Sequence, residues 1–574
     1  MASRKCLESL RRNLKRWIVI CVPILLIPLP ICLRSQTGNC AYGLLIMAVF
    51  WMTEALPLPV TSLIPIVIFP IMGITKVQDL AHLYYNDIIF VFIGAYSVAV
   101  CVEKWNIHRR FALRLLLSLG SEPKWLLLGF TVITSFLSMW MGNIAVCSTM
   151  IPMANAVLVQ LIKTKQLRDR MKDGMKDLDT KDVKEEAFDF QSLPEGDKKI
   201  CKAFSLCICY AANIGGIATL TGTAPNLVMK GNADMLAGGE SGVTFASWII
   251  FGMPVACVNT FICWIVLQLA FFGVRDLFCS KKKGKSSSGV QELIQKEYIK
   301  LGPMSFAEKA VLGHFVILVL LWFTREPEFF PGWASLFKEG FVRDAVPAIL
   351  ICISLFVFPS ERRKSADSST RGTRALLDWK TMNDTVPWGL CLLLGGGFAL
   401  ARACSDSGLS LWFADQLSVF KDVSPKVMIL LICLLVSFST EIIGNTPICS
   451  IFMPILADLA IAIHVHPIYL MLPAAIATSF AFMLPVATPP NSIVFGYGYL
   501  HVMDMVKVGF FINILCVLVV TLAINTYGIH YFDLDVFPDW AKRNVSSFVD
   551  NPTSNSTFQN LTDIISSHRN LSNI

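Results

Sequence analysis

The sequence predicts an all-α polytopic membrane protein, with about eleven transmembrane helices and two re-entrant hairpins arranged as inverted repeats. Three observations predict it. The 574 residues are 54% hydrophobic and only 16% charged, with a mean hydropathy of +0.60, and several apolar segments reach the roughly 20 residues that span a bilayer. The stretch Ser135 to Ala154, SFLSMWMGNIAVCSTMIPMA, has an echo 302 residues later at Ser437 to Leu456, SFSTEIIGNTPICSIFMPIL, with seven identities at that single offset. Each copy is apolar, breaks at Gly-Asn and becomes apolar again. Irregular backbone at membrane depth is tolerated only where protein or a watery cavity satisfies its polar groups.

Composition excludes several classes. The formal net charge of +8 does not indicate nucleic acid, because the positive residues cluster in loops, where they set membrane orientation. The 18 cysteines have no metal-ligand spacing, and many lie in apolar runs (Cys21, Cys101, Cys207, Cys433), so they read as buried free thiols. There is no nucleophile–base arrangement and no nucleotide-binding loop, so an enzyme is not expected.

The elements follow in order. Residues 1–16 form a basic, cytoplasmic N-terminus (Arg4, Lys5, Arg11, Arg12, Lys15, Arg16). The run Trp17 to Leu33 lacks a small-x-small cleavage site and reads as an uncleaved first span. Spans 2, 3 and 4 cover about 41–56, 60–74 and 88–103. Lys104 to Gly120 alternates cations with apolar residues, as an interfacial helix does. The apolar stretch 124–163 lies between this helix and a charged loop, 164–200, which reads as cytoplasmic. With both flanks on one side, the stretch must enter and return, with its tip near Gly142-Asn143. Span 5 covers 202–232, broken around Gly215 to Thr223, and span 6 covers about 244–272. Spans 7, 8 and 9 cover about 307–324, 344–358 and 386–404. The second copy, 425–463, is then a hairpin from the opposite side, followed by span 10 (467–500, broken around Pro485 to Asn491) and span 11 (about 505–526). The tail carries four sequons, at Asn544, Asn555, Asn560 and Asn570, which are glycosylated only on the outer side. A cytoplasmic start and an outer end require an odd number of crossings.

The order hairpin, broken span, span recurs inverted, and paired breaks in two halves point to a transporter's binding site. Thr223-Ala224-Pro225-Asn226 in span 5 lines up with Thr488-Pro489-Pro490-Asn491 in span 10. Proline and glycine free backbone carbonyls from helical bonding. Those carbonyls, with Thr and Asn side-chain oxygens, are hard ligands suited to Na⁺, while helix N-termini at the same breaks suit an anion. One tip and one broken span in each repeat predict two cation sites with an anion between them.

At this point the chain resembles the divalent-anion/sodium symporter family, in its animal di- and tricarboxylate branch. The resemblance rests on WMTEALPLPVTSL (51–63), EKWNIHRRFALR (103–114), SFLSMW (135–140), IGGIATLTGTAPNL (214–227), LLLGGGFALA (392–401), SGLSLW (407–412), SFAFMLPVATPPNSIVF (479–495) and FPDWA (537–541). It implies a plasma-membrane symporter that imports succinate- or citrate-like anions with Na⁺. It also implies a likeness to elevator-type homodimers, in which one half of each protomer moves against a scaffold. The scaffold would be 17–120 and 273–424, the transport repeats 121–272 and 425–526, and the extracellular glycosylated tail 527–574. Carried over by position, Asn143, Ile144, Thr223, Asn445, Thr446 and Thr488 face the anion. Gly142, Asn143, Gly216 and Thr221 form one Na⁺ site with Thr223, and Gly444, Asn445, Ala487, Thr488 and Asn491 form the other. The family's Ser-Asn-Thr tips are here Gly142-Asn143-Ile144 and Gly444-Asn445-Thr446, so both Ser hydroxyls and one Thr hydroxyl are missing. Asn213 stands where these carriers usually have Ser. Sulfate as the anion, or a degenerate non-transporting member, are the alternatives; TLTGTAPN and PVATPPN follow the carboxylate pattern. Arg402 is a weaker candidate for attracting anions, Glu441 for orienting the second hairpin, and Glu54 for a structural partner in span 2.

Overall fold

The computed structural model describes residues 2–119, 122–172, 190, 193–239, 241–273, 288–326, 331–338, 340–362, 374–416 and 423–541. The sequons at Asn544, Asn555, Asn560 and Asn570, the basic cluster Lys281 to Lys285 and most of the loop after Lys172 lie outside the described residues. Among the described residues there is no strand, only an isolated bridge between Pro359 and Ala375. Eight helices are long and apolar enough to cross a membrane, and five shorter apolar helices accompany them. The eight include Asn143–Gln166 and Asn445–Ala462, which belong to the two hairpin stretches, and neither broken span is among them.

Helix boundaries follow local chemistry. Asn86 caps Asp87–Lys104 by accepting from the Ile89 N–H, and Ser305 with Glu308 forms a reciprocal capping box at Phe306–Phe323. Proline opens the first arm of each hairpin stretch, Pro123–Ser138 and Pro425–Thr440, where its missing N–H costs nothing. Asp87–Lys104, Phe245–Phe271, Phe306–Phe323, Ala345–Val357 and Trp388–Asp406 match spans 4, 6, 7, 8 and 9 within two residues.

Several expectations are corrected. Span 3 is two short pieces, Leu58–Thr61 and Ile64–Ile71, each opened by a proline. The charged loop is shorter than 164–200, because helix continues to Lys172 and resumes at Glu195. The break in span 10 covers 478–488, earlier and wider than expected. Pro489 and Pro490 start the second half-helix, because proline fits the first turn. The helix of span 11 runs from Val502 to Tyr531 with a π-helical turn at Ile524–Gly528, past the expected start of the tail at 527. Glu54 is the left-handed C-cap of Gln36–Thr53, and its carbonyl accepts from Lys15.

The expected interfacial helix is Ile107–Leu119, but Arg110 is not a headgroup-facing cation. It is buried against Glu308 at 3.0 Å and donates to the carbonyls of Leu301 and Gly302. Arg109 pairs with Glu297 on Ser288–Lys300, a helix not anticipated from the sequence. At the end of Asp87–Lys104, Lys104 lies 2.7 Å from Asp378, and with Thr381 it holds that carboxyl well below the usual carboxylate range. Sixteen cysteines from Cys21 to Cys516 are free, and thirteen of them are buried.

A continuous apolar core runs through the hairpin arms, the broken spans and the helices that follow them. The first arm of each hairpin packs along the first half-helix of its own broken span. The second arms cross over: Asn143–Lys172 meets Pro489–Phe495, and Asn445–Ala462 meets Ala224–Ala237. This interleaving brings the two sets of breaks together.

Candidate functional site

Four helices begin at the breaks: at Asn143, Ala224, Asn445 and Pro489. Each presents first-turn N–H groups without helical partners and a partial positive charge. Thr223 and Thr488 are the N-caps of the two half-helices and share one extended backbone conformation, φ −147°, ψ 148° and φ −140°, ψ 150°.

The strongest feature is an asparagine clamp repeated in both halves. The Asn226 amide donates to the carbonyls of Gly216 (3.1 Å) and Thr219 (2.7 Å). The Asn491 amide donates to Ala481 (2.9 Å) and Leu484 (3.0 Å). Donor and both acceptors are related by one offset of 265 residues. In both asparagines the carbonyl oxygen, Oδ1, is buried without a hydrogen-bond partner. A buried orphan acceptor is costly. Two at corresponding positions fit a hard cation whose ligands are amide and backbone oxygens.

A second network joins the halves. Ser138 donates to Asn143 Oδ1 (2.7 Å) and to the Ala212 carbonyl (2.6 Å). The Asn143 amide donates to Asn213 Oδ1 (3.2 Å), and Asn213 donates to Thr488 Oγ1 (3.3 Å). Gly216 lies against this cluster: a Cβ there would sit 2.9 Å from Asn143 Oδ1 and 3.3 Å from Thr223 Cβ. The first tip, both broken spans and the Thr488 cap thus meet in one place.

The second tip is held differently. Thr440, at the position corresponding to Ser138, donates to the Thr478 carbonyl. Glu441, 4% exposed, accepts from the N–H groups of Phe482 (2.7 Å), Met483 (2.9 Å) and Leu484 (3.0 Å) and from the Asn513 amide (2.8 Å). Its counterpart in the first copy is Met139, whose carbonyl accepts from Thr219. Each tip is therefore tied to the break beside it, once through a carboxylate and once through backbone.

The residues singled out from the sequence divide clearly. Asn143, Gly216, Thr223 and Thr488 come together, and Asn491 forms the clamp. Gly142 and Gly444 are the tips, and Gly444 is the N-cap of its arm. Asn445 Oδ1 is buried without a partner, and Thr446, next in sequence, and Ala487 are buried too. Thr221 lines an apolar cavity with Ala95, Trp140, Met141 and Trp322. Ile144 is 52% exposed. Arg402 is committed to Asp406 at 3.0 Å, and Asp406 also accepts from Thr75. The residues carried over by position leave out Asn226 and Ser138. For Asn226 the signal was present, because it aligns with Asn491. A larger cavity of about 550 Å³ lies between Ile107–Leu119, Ser288–Lys300 and the second arm of the first hairpin, Asn143–Lys172, reaching Ser148 and Thr149.

Among the described residues, helices broken in matched pairs, with orphan carbonyl oxygens and helix N-termini at the breaks, define a helical polytopic membrane protein of the transporter class. The family profile described as "Sodium:sulfate symporter transmembrane region" matches residues 9–534. The chain is 43% identical to Solute carrier family 13 member 2 of Homo sapiens, over 94% of this chain and 97% of that one. It is 40% identical to Na(+)/dicarboxylate cotransporter 3 of Mus musculus (95% and 96%) and 41% identical to Na(+)/citrate cotransporter of Rattus norvegicus (91% and 96%). The chain belongs to the sodium:sulfate symporter transmembrane family.

Proposed function

We propose that the protein is a sodium-coupled symporter that imports di- and tricarboxylates, such as succinate and citrate, across the plasma membrane. Membership of the family and relatives named for dicarboxylate and citrate cotransport support the substrate class. The observation that carries the mechanism is the repeated clamp with its two orphan carbonyl oxygens, Asn226 Oδ1 and Asn491 Oδ1. In this reading one Na⁺ binds at the first break with Gly142, Asn143, Gly216, Thr221, Thr223 and Asn226. A second binds with Gly444, Asn445, Ala487, Thr488 and Asn491. The anion lies between, against Asn143, Asn445, Thr446 and the helix N-termini, with Thr223, Thr488 and Ile144 at its edge. Sodium fills the orphan carbonyls first, and its charge then draws the carboxylates in. Charge carried beyond that of the anion gains about 2.3 kcal/mol per 100 mV, so transport is electrogenic.

The finer architecture belongs to the same proposal. Eleven crossings and two re-entrant hairpins place the N-terminus in the cytoplasm and the sequons outside. The repeats 121–272 and 425–526 move as an elevator against 17–120 and 273–424 in a homodimer. The cavity at Ser148 and Thr149 is the cytoplasmic exit.

Uptake of labelled succinate and sulfate in Na⁺ and in choline, beside an Ile144→Thr variant, tests the reading. Succinate uptake that needs Na⁺, with affinity raised about tenfold or more in the variant, is the expected result. Ile144 is exposed at the tip, so threonine adds a hydroxyl without disturbing packing. Na⁺-dependent uptake competed by sulfate and not by succinate overturns the carboxylate assignment. No uptake of either anion by the natural chain at proven surface expression, restored by the variant, identifies a degenerate carrier.

A further inference from the structure

Gly142 stands where the resemblance places a serine, and the space its side chain would take is already occupied. A Cβ built on Gly142 would lie 2.6 Å from the hydroxyl oxygen of Tyr96, with the next ring atom 3.5 Å away. Tyr96 is not part of either hairpin. It sits on Asp87–Lys104, which is fixed to Ala345–Val357 by a close approach at Gly94, where a Cβ would lie 2.6 Å from Ala348. Its ring packs against Phe92, tilted by 43° with centroids 4.5 Å apart. The ring is therefore held from behind and presents its hydroxyl to the first tip. Among the described residues that hydroxyl makes no hydrogen bond, and the residue is half-buried. A phenol O–H held beside a helix N-terminus and beside Asn143, with its donor unspent, is placed to meet an anion.

We propose that the Tyr96 O–H donates to a carboxylate oxygen of the bound anion, taking over at the first tip the role of the hydroxyl that Gly142 lacks. Gly142 is required because no side chain fits between the tip and the tyrosine. The inference rests on the symport reading above, and it makes Tyr96 a specificity-determining contact reached from a helix outside the repeats. A tyrosine donor is longer and stiffer than serine, so it favours one placement of the carboxylate over others.

The test uses the full chain in nanodiscs, with Tyr96→Phe, Gly142→Ala, Tyr96→Phe/Gly142→Ala and Tyr96→Phe/Gly142→Ser. Binding of labelled succinate is measured at saturating Na⁺, the Na⁺ half-saturation at saturating succinate, and thermal stability without ligand. Loss of one hydrogen bond to a charged group weakens succinate binding about ten- to a hundredfold in Tyr96→Phe, with the Na⁺ half-saturation unchanged. Gly142→Ala lowers the melting temperature, and Tyr96→Phe in the same chain restores it, because the atom in the way is the hydroxyl. Tyr96→Phe/Gly142→Ser regains part of the affinity by supplying the hydroxyl from the tip. Wild-type succinate affinity in Tyr96→Phe overturns the proposal while leaving the symport reading intact. A shift in Na⁺ half-saturation alone assigns the hydroxyl to the cation and overturns the carboxylate role. Failure of Tyr96→Phe to rescue Gly142→Ala overturns the steric argument. No Na⁺-dependent succinate binding by the natural chain refutes the symport reading itself, and the proposal with it.

Discussion

Glu441→Gln isolates what a buried carboxylate does at the second hairpin tip. One carboxylate oxygen accepts from Phe482, Met483 and Asn513, and the other from Met483 and Leu484. A carboxylate is acceptor-only and suits a ring of N–H donors; a glutamine amide is half donor. In its better orientation glutamine keeps the first set and turns its NH₂ toward Leu484. The Leu484 N–H and the new NH₂ are then both buried without acceptors. Each unsatisfied group costs about 1–3 kcal/mol, so the change costs about 2–6 kcal/mol, and the remaining bonds lose their charge assistance. Against a typical stability of about 5–15 kcal/mol that is a large fraction. The loss is concentrated at the break that positions Thr488 and Asn491. The assay is thermal unfolding of purified protein together with Na⁺-dependent uptake. Glu441→Gln is expected to lower the melting temperature and abolish or severely reduce uptake, with Glu441→Ala at least as severe. A Glu441→Gln protein with wild-type melting and wild-type uptake would show that the carboxylate is not what orders the 478–488 break, and would refute the reasoning.

Three further outcomes follow from particular contacts. Asn226→Ala and Asn491→Ala each remove a clamp and its orphan oxygen. Each should raise the Na⁺ concentration for half-maximal uptake by about tenfold or more, by the cost of losing a charged-group contact, as read from Na⁺ titrations of uptake. Gly215→Ala would drive a Cβ into the Ser135 carbonyl. Overpacking of this kind costs about 1–3 kcal/mol or more, so reduced folded yield and a lower melting temperature are expected. Arg110→Ala leaves Glu308 buried without its partner at a cost of about 3–5 kcal/mol, and thermal melting should report it. Glu308→Ala should be similarly destabilising, because it strands the arginine instead.

Much of the architecture was legible because a membrane simplifies the chemistry. Apolar segments of bilayer length mark spans wherever the helix is continuous, so Asp87–Lys104, Phe245–Phe271 and Phe306–Phe323 fall where hydropathy puts them. The tips and the TAPN and TPPN breaks were legible for a different reason. Glycine, asparagine and proline in an apolar stretch interrupt helical bonding wherever they stand in the chain. The span 10 break lies earlier than Pro485 to Asn491 because Pro489 and Pro490 start the following helix. Residues 478–484 look helical by composition and are held open by contacts from Glu441 and Asn491.

What the sequence settled was therefore the local: where helix forms, where it breaks, and that the breaks come in two matched sets. Those properties depend on residue type and neighbours along the chain. Only the tertiary structure decided which break meets which. It carried Asn143 to Asn213 and on to Thr488, buried Arg110 against Glu308 and set Tyr96 against Gly142. Each of these contacts joins residues tens to hundreds of positions apart and depends on how helices distant in the chain cross. Such crossing is settled by packing and by the need to satisfy buried polar groups, for which no single stretch of sequence holds both partners.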